Sequence, residues 1–164
     1  MSRDHAAIHP RGRLRLTVRS RQGVVLAVRR AHNLVLRRGA AVIAGLFAGA
    51  AGATPINRIQ VGFATEAATS ELTSLTPPAD AAIPAAALVS PIAAADFTVV
   101  TDRPGAVQVL VSSLFRPSVE LKDVTEAGLL AGDALYNQVV FDPVTLRPGQ
   151  DVTFFWEIDF PFGH

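Results

Sequence analysis

Four histidines are the first residues to test for metal-binding or acid–base chemistry, and their spacing does not favour a site. His5 and His9 are four residues apart, which places two side chains on one face of a helix, but Pro10 and the absence of a helical pattern argue against a helix there. His32 and His164 stand alone, and the chain has no cysteine to complete a thiolate–imidazole set. We therefore expect no metal site and no cofactor.

Two carboxylates on the last predicted strand are the next candidates for acid–base chemistry. Glu157 and Asp159 are two residues apart, so their side chains share one face of the strand. We interpret them as part of a solvated or docking face, because the sequence contains neither a serine nucleophile motif nor a phosphate-binding loop. Glu126 stands before Ala127-Gly128, where its carboxylate can accept hydrogen bonds from loop amides. The sequence favours a protein that is not an enzyme, and no catalytic residue is predicted.

The charges divide the chain into a basic head and an acidic body. Residues 1–38 contain ten arginines and one aspartate, a net charge of +9, whereas residues 39–164 contain five basic and thirteen acidic residues, a net charge of −8. The head can contact a polyanion, dock on the acidic body of a neighbouring subunit, or form solvated strand edges. We favour docking between subunits, and we do not expect nucleic-acid binding because no aromatic residues alternate with the arginines. The predicted interface residues are Arg13, Arg15, Arg19, Arg21, Arg29 and Arg30, together with Glu157 and Asp159.

An alternating pattern places these arginines on a β-hairpin. From residue 13 the sequence is Arg-Leu-Arg-Leu-Thr-Val-Arg, which predicts a strand with one buried face and one basic face. A turn at residues 20–23 precedes a second predicted strand over residues 24–28. Residues 1–11 are polar and contain a proline, so we expect them to form a flexible N-terminal arm.

One apolar segment predicts a helix. Apolar residues at helical spacing extend over about residues 34–48, with Asn33 at the N-cap position and Gly49 at the C-terminal end. The apolar run from Gly39 to Ala53 is 15 residues long. A membrane span needs roughly 20 residues. We therefore expect no membrane span and predict a buried amphipathic helix that packs against a sheet.

The remaining sequence alternates strand patterns with turns. Residues 64–91 are rich in Ala, Thr, Ser and Pro, which predicts a long surface or interface loop. Two segments dense in β-branched and aromatic residues, Tyr136–Phe141 and Asp151–Phe160, flank a Pro-Gly turn and are typical of a hairpin that closes a sheet. The sequence thus predicts a mainly-β protein, an antiparallel β-sandwich with one α-helix at about residues 34–48, in a single domain over residues 12–164.

Five short motifs occur in a fixed order along the chain. They are Asn33-Leu-Val-Leu-Arg-Arg-Gly39, Ile59-Gln60-Val61-Gly62, Thr125-Glu126-Ala127-Gly128-Leu129, Leu135-Tyr136-Asn137-Gln138-Val139-Val140-Phe141-Asp142-Pro143 and Val152-Thr153-Phe154-Phe155-Trp156-Glu157-Ile158. In this order they resemble small structural proteins of tailed bacteriophages and related contractile injection particles, in the group associated with tail fibres and baseplates. The likeness spans roughly residues 30–160.

This resemblance implies a non-enzymatic structural or adaptor subunit of a phage tail or tail-like particle. Its implied partners are copies of itself and other tail or baseplate proteins, contacted by subunit–subunit docking. The implied location is the tail region of a virion or phage-like particle that is assembled in the bacterial cytoplasm.

A second hypothesis is a receptor- or glycan-binding module at the tip of a tail fibre. Tyr136 and Trp156 are its predicted ligand contacts, although packing in the core is an alternative role for both. The sequence also leaves open whether the basic and acidic ends of the chain pair within one subunit or between two.

Overall fold

The fold is built almost entirely from β-strands. The computed structural model describes residues 10–66 and 69–163. Its strands are β1 (Arg11–Arg19), β2 (Val25–Val35), β3 (Arg58–Gly62), β4 (Val89–Pro91), β5 (Phe97–Val100), β6 (Ala106–Phe115), β7 (Leu121–Ala131), β8 (Ala134–Leu135), β9 (Asn137–Leu146) and β10 (Asp151–Pro161). The α-helix, α1, is Arg37–Ala48, and short 3₁₀ turns occupy Ala85–Leu88 and Ala94–Asp96. Most of the predicted N-terminal arm lies outside the described residues, and Arg11 already belongs to β1.

All strands join one curled antiparallel sheet with two halves. The order is β4-β3-β7-β9-β2-β1-β10-β6-β5, and β8 pairs with β7. The first part of β2 pairs with β1, whereas Asn33–Val35 pairs with β9, so β2 passes from one half to the other. We call β2, β1, β10, β6 and β5 the β10 half, and β9, β8, β7, β3 and β4 the β7 half. The prediction of a mainly-β antiparallel fold with one α-helix is confirmed.

The predicted hairpin at the C-terminal end is wrong. A tight turn over Arg147–Gln150 does join β9 to β10. However, β9 pairs with β2 and β7, whereas β10 pairs with β1 and β6. The turn sends the chain from one half of the sheet to the other, because a local turn signal fixes the reversal of the chain but not the partner of the strand that follows.

Apolar side chains from both halves fill the space between them. Leu14, Leu16 and Val18 of β1 are buried, which confirms the predicted alternation. Phe154 stacks on Trp156 in β10, with ring centroids 5.8 Å apart, and meets Phe115 of β6 edge to face. The β7 half contributes a matching set of buried residues: Ile59, Val61, Leu121, Val124, Ala127, Leu129, Val139, Phe141, Val144 and Leu146.

The helix begins later than the sequence predicts. Asn33 lies in β2 opposite Val139 and does not cap a helix. Leu36 occupies the N-cap position, and its backbone N–H donates to the carbonyl of Tyr136. The β9 edge offers backbone hydrogen-bond partners to residues 33–35, so extended pairing replaces the first predicted turn of helix. Gly49, at φ 61°, ends the helix as predicted.

The long segment between β3 and β4 lies against the outer side of the β7 half. The N–H of Phe63 donates to Thr76, and the N–H of Arg37 donates to Ser70. Leu75 is buried with Leu36, Leu130 and Leu135 in a small second cluster. The predicted loop is therefore anchored on its own subunit, and its last part forms the 3₁₀ turn at 85–88 and β4.

Candidate interaction surfaces

The basic and acidic ends of the chain pair within one subunit. β1 and β10 are antiparallel neighbours, with Arg13 opposite Glu157 and Arg11 opposite Asp159. Nη2 of Arg13 lies 3.1 Å from Oε2 of Glu157, and the two side chains are 54% and 32% exposed. The sequence indicates that these two strands have complementary charge. The tertiary structure pairs them within one subunit.

The other acids on this outer face also have arginine partners. Asp159 accepts hydrogen bonds from Gln108 at 2.8 Å and from Arg103 at 3.4 Å. Asp151 accepts a hydrogen bond from Nε of Arg116 at 3.0 Å. Exposed pairs of this kind contribute only about 0.2–1 kcal/mol each. Their main consequence is that these carboxylates are already neutralised locally and present little free charge to a neighbour.

The eight predicted interface residues do not form one surface. Arg13, Arg15, Arg30, Glu157 and Asp159 share the outer face of the β10 half, as the strand register requires, and Arg19 lies further along the same face, half-buried opposite Asp151.

Two of the arginines have other positions. Arg29 is half-buried on the opposite side of β2, where Nε and Nη2 donate to the carbonyls of Asp142 and Pro143 at 2.9 and 2.8 Å. It bridges β2 and β9 where their backbone pairing has ended, so its role is structural. Arg21 lies in the β1–β2 turn beside Gly149.

Neither predicted ligand-contact residue reaches the surface. Trp156 and Tyr136 are buried in the core, with 0% and 1% exposure. Burial raises the pKa of Tyr136 from 10.0 to about 12. Alternation along β10 points Trp156 inward because it has the same parity as Phe154 and Ile158. The proposal that these two aromatics contact a receptor or glycan is therefore wrong, and the alternative of core packing holds.

Glu126 organises a polar network inside the β7 half. Its carboxylate is fully buried and accepts hydrogen bonds from the backbone N–H of Thr76 and from Nε2 of Gln138, the latter at 2.6 Å. A Cβ on Gly62 would lie 2.3 Å from Oε1 of Glu126, so the glycine makes room for the carboxylate. The predicted structural role, acceptance of loop amides, is confirmed.

The motifs that carry the family resemblance are largely internal. Asn137 is buried, and its Oδ1 accepts a hydrogen bond from the N–H of Leu129 at 2.9 Å. A Cβ on Gly128 would meet the carbonyl of Asn137 at 2.6 Å. These residues specify how β7, β8 and β9 pack.

The helix exposes the apolar surface that the sequence predicts to be buried. Gly39 is the one fully buried residue of α1, and Phe47 is 95% exposed. Ile43 and Leu46 are also exposed, as are most residues of the Ala/Gly stretch that follows to Ala53. We call α1 and residues 49–53 the apolar arm. The lack of polar side chains over 15 residues was the available signal, and it is compatible with either a buried or an interface helix.

A groove lies on the side of the apolar arm that faces the sheet. It has a volume of about 360 Å³ and is lined mainly by alanine and glycine, including Ala41, Gly45, Ala50 and Ala134. At 100° per residue, Phe47 lies on the opposite side of the helix from Ala41 and Gly45. The arm therefore combines a projecting aromatic side chain with a recess lined by small side chains.

Comparisons with known proteins do not assign this chain to a class. The sequence matches no protein-family model, and neither a curated protein nor a solved structure matches it. The resemblance to tail-fibre and baseplate components therefore stays a prediction.

The described residues show neither a metal-binding cluster nor a membrane-crossing helix. Residues 10–66 and 69–163 contain no group of three or more His, Asp or Glu side chains placed to hold a metal ion. His5 and His9, the pair at helical spacing that the sequence argues against as a metal site, lie outside this part of the chain. Within the same residues, no helix combines the length and the apolar character that a membrane crossing requires.

Proposed function

We propose that this chain is a non-enzymatic structural subunit that assembles with copies of itself through the apolar arm. The observation that carries the proposal is the exposure of α1, in which Phe47 projects at 95% exposure beside Ile43 and Leu46. Contiguous exposed apolar surface on a folded protein marks an interaction site. Burial of each such large side chain stabilises a contact by about 1.5–3 kcal/mol.

The positions of Phe47 and the groove support a head-to-tail contact. They lie on opposite sides of α1, so one copy can present its phenyl ring to the groove of the next copy. A contact between two different surfaces is heterologous, and it generates a ring or a filament according to whether the rotation closes. Rings and filaments are the arrangements in which structural subunits build a repetitive particle.

The particle that we propose is a phage tail or a tail-like injection particle, with the subunit in its tail region. This part of the proposal is supported by the ordered motifs over residues 30–160. Immunogold labelling of purified particles with antibodies to this chain tests it. Absence of the chain from particles would contradict the tail assignment and leave self-assembly to be judged separately.

Analytical ultracentrifugation tests the head-to-tail contact. We expect wild-type protein to form concentration-dependent oligomers. Phe47→Ser removes the projecting ring, and Ala50→Phe fills the groove, so each variant should be monomeric. Val99→Ser is the matched control, because Val99 is 60% exposed on the edge strand β5, away from the arm.

Mixing the two variants makes the test specific. Phe47→Ser keeps its groove and Ala50→Phe keeps its ring, so a one-to-one heterodimer should form and grow no further. A monomeric wild-type protein at high concentration, or equal effects of Phe47→Ser and Val99→Ser, would contradict the proposal.

A further inference from the structure

The outer face of the β10 half has one row of residues in which the charges are not compensated. Each row crosses β2, β1, β10 and β6 through directly opposed residues. One row contains His32, Arg13 and Glu157, and the next contains Arg30, Arg15 and Phe155. In the second row a phenylalanine occupies the place that an acid occupies in the first.

Arg15 and Arg30 are therefore two like charges directly opposite each other. Both are exposed, and cross-strand like charges destabilise a sheet. Among the described residues, every ion pair of this face uses a different arginine: Arg13, Arg103 or Arg116. The Cζ atom of Arg15 lies 5.2 Å from the centroid of the Phe155 ring, which holds that guanidinium over the face of the sheet.

These residues line a groove of about 310 Å³. Arg13, Arg15, Arg30, His32, Phe155 and Glu157 form its walls. An arginine side chain presents several N–H donors in a fixed planar fork that matches the two oxygens of a carboxylate. Two such forks over one row, beside an aromatic ring, create a position where a single anionic group gains several charge-assisted hydrogen bonds.

The charges on either side of this row restrict which kind of molecule can place an anionic group there. Glu157 lies in the groove wall, and Asp159 and Asp151 lie further along the same strand. These carboxylates are paired with Arg13, Arg103 and Arg116, so the ion pairs beside the row leave little free positive charge for the successive phosphates of a polyanion such as nucleic acid. A lone carboxylate with uncharged neighbours uses the two arginines of the row and requires no further cation.

We propose that the Arg15–Arg30 row is a second docking site, which receives one Asp or Glu side chain of a protein partner with uncharged residues on either side. The site is separate from the apolar arm and does not depend on self-assembly. Phe155 limits the groove on one side and provides apolar contact for the methylene groups of the incoming side chain.

Binding of blocked pentapeptides, followed by NMR of the arginine Nε–H groups, tests this proposal. The first probe has one central Glu between uncharged residues, and the second has Gln in its place. The Glu peptide should shift the Arg15 and Arg30 resonances, and the Gln peptide should not. Arg15→Gln and Arg30→Gln should each weaken binding by about tenfold, the usual effect of losing a charge-assisted hydrogen bond.

Two further variants give the controls. Arg116→Gln makes the same charge change on the same face, and because Arg116 is paired with Asp151 it should change the affinity less than twofold, as expected for an exposed pair. Phe155→Glu places an acid within the uncompensated row and should abolish peptide binding. Thermal melts of all variants check that the fold is intact.

Any one of several results would overturn the proposal. They are equal binding of the Glu and Gln peptides, equal weakening by Arg116→Gln and Arg15→Gln, and tighter binding of duplex DNA than of the Glu peptide. Failure of the Glu peptide to shift any arginine resonance at millimolar concentration would also reject it. Phe47→Ser should bind the peptide as wild type does, so this outcome is independent of the assembly proposal.

Discussion

The two halves of the sheet differ in how far their polar residues are exposed to solvent. In the β7 half, Glu126, Asn137 and Gln138 are buried, and the segment between β3 and β4 covers them. In the β10 half, most of the arginines and the acids stand on the outer face, where each acid pairs with an arginine and the opposed Arg15 and Arg30 have no acid in their row. Burial thus decides what the same residue types do: the covered half uses them to fix packing, and the open half keeps them available to a partner.

Removal of the buried carboxylate should have the largest effect on stability. Glu126→Ala leaves the Thr76 N–H without its acceptor and takes one acceptor from Gln138. Unsatisfied buried donors cost about 1–3 kcal/mol each, so we expect a loss of about 4 kcal/mol in the free energy of unfolding. Urea denaturation measures it, with Glu71→Ala as the exposed control. Equal losses for both variants would show that the covered half has no special dependence on its carboxylate.

A pH effect of intermediate size should come from Tyr136. Burial raises its pKa to about 12 in the folded protein, from 10.0. Between these values the unfolded chain releases the phenolic proton and the folded chain retains it, so stability falls as pH rises. The loss approaches about 2.7 kcal/mol near the upper value, because one pKa unit corresponds to about 1.36 kcal/mol.

Urea midpoints across the alkaline range, compared with those of Tyr136→Phe, isolate this group. The phenylalanine variant should lack the part of the decline that belongs to Tyr136. Parallel curves for the two proteins would mean that the phenol titrates normally and that this part of the core is open to water.

The outer face should give the smallest effect. A double-mutant cycle with Arg13→Gln and Glu157→Gln should report a coupling energy below about 1 kcal/mol, because both side chains are substantially exposed. The coupling should decrease further in high salt. A coupling energy of several kcal/mol would show that the charges of the outer face stabilise the fold as the buried polar residues of the β7 half do. The two halves would then not differ in this respect.

Local patterns in the sequence predicted the parts of the fold that depend on neighbouring residues. Alternation over residues 13–19 gave the buried and basic faces of β1, and Gly49 gave the end of the helix. The position of Glu126 before a small residue indicated that its carboxylate would accept loop amides. The sequence also indicated that the basic and acidic ends are complementary, without indicating whether they meet in one subunit.

Long-range pairing decided the rest. The turn before β10 predicts a hairpin with β9, yet β1 and β6 pair with β10 along most of its length, which satisfies more backbone groups than one neighbour can. The pairing of β10 turned Trp156 into the core, and the pairing of β2 with β9 drew residues 33–35 away from the helix.

The sequence alone determines the apolar character of this protein, the alternation of apolar and polar residues along its strands, and the division into a basic and an acidic part. Each of these depends only on residues that are close together in the chain. The exposure of the apolar arm, the intrasubunit pairing of Arg13 with Glu157 and the uncompensated pair of Arg15 and Arg30 were decided only by the tertiary structure. The physical reason is that hydrophobicity and charge are properties of residues, whereas burial and compensation are properties of neighbours that the chain acquires only when distant strands meet.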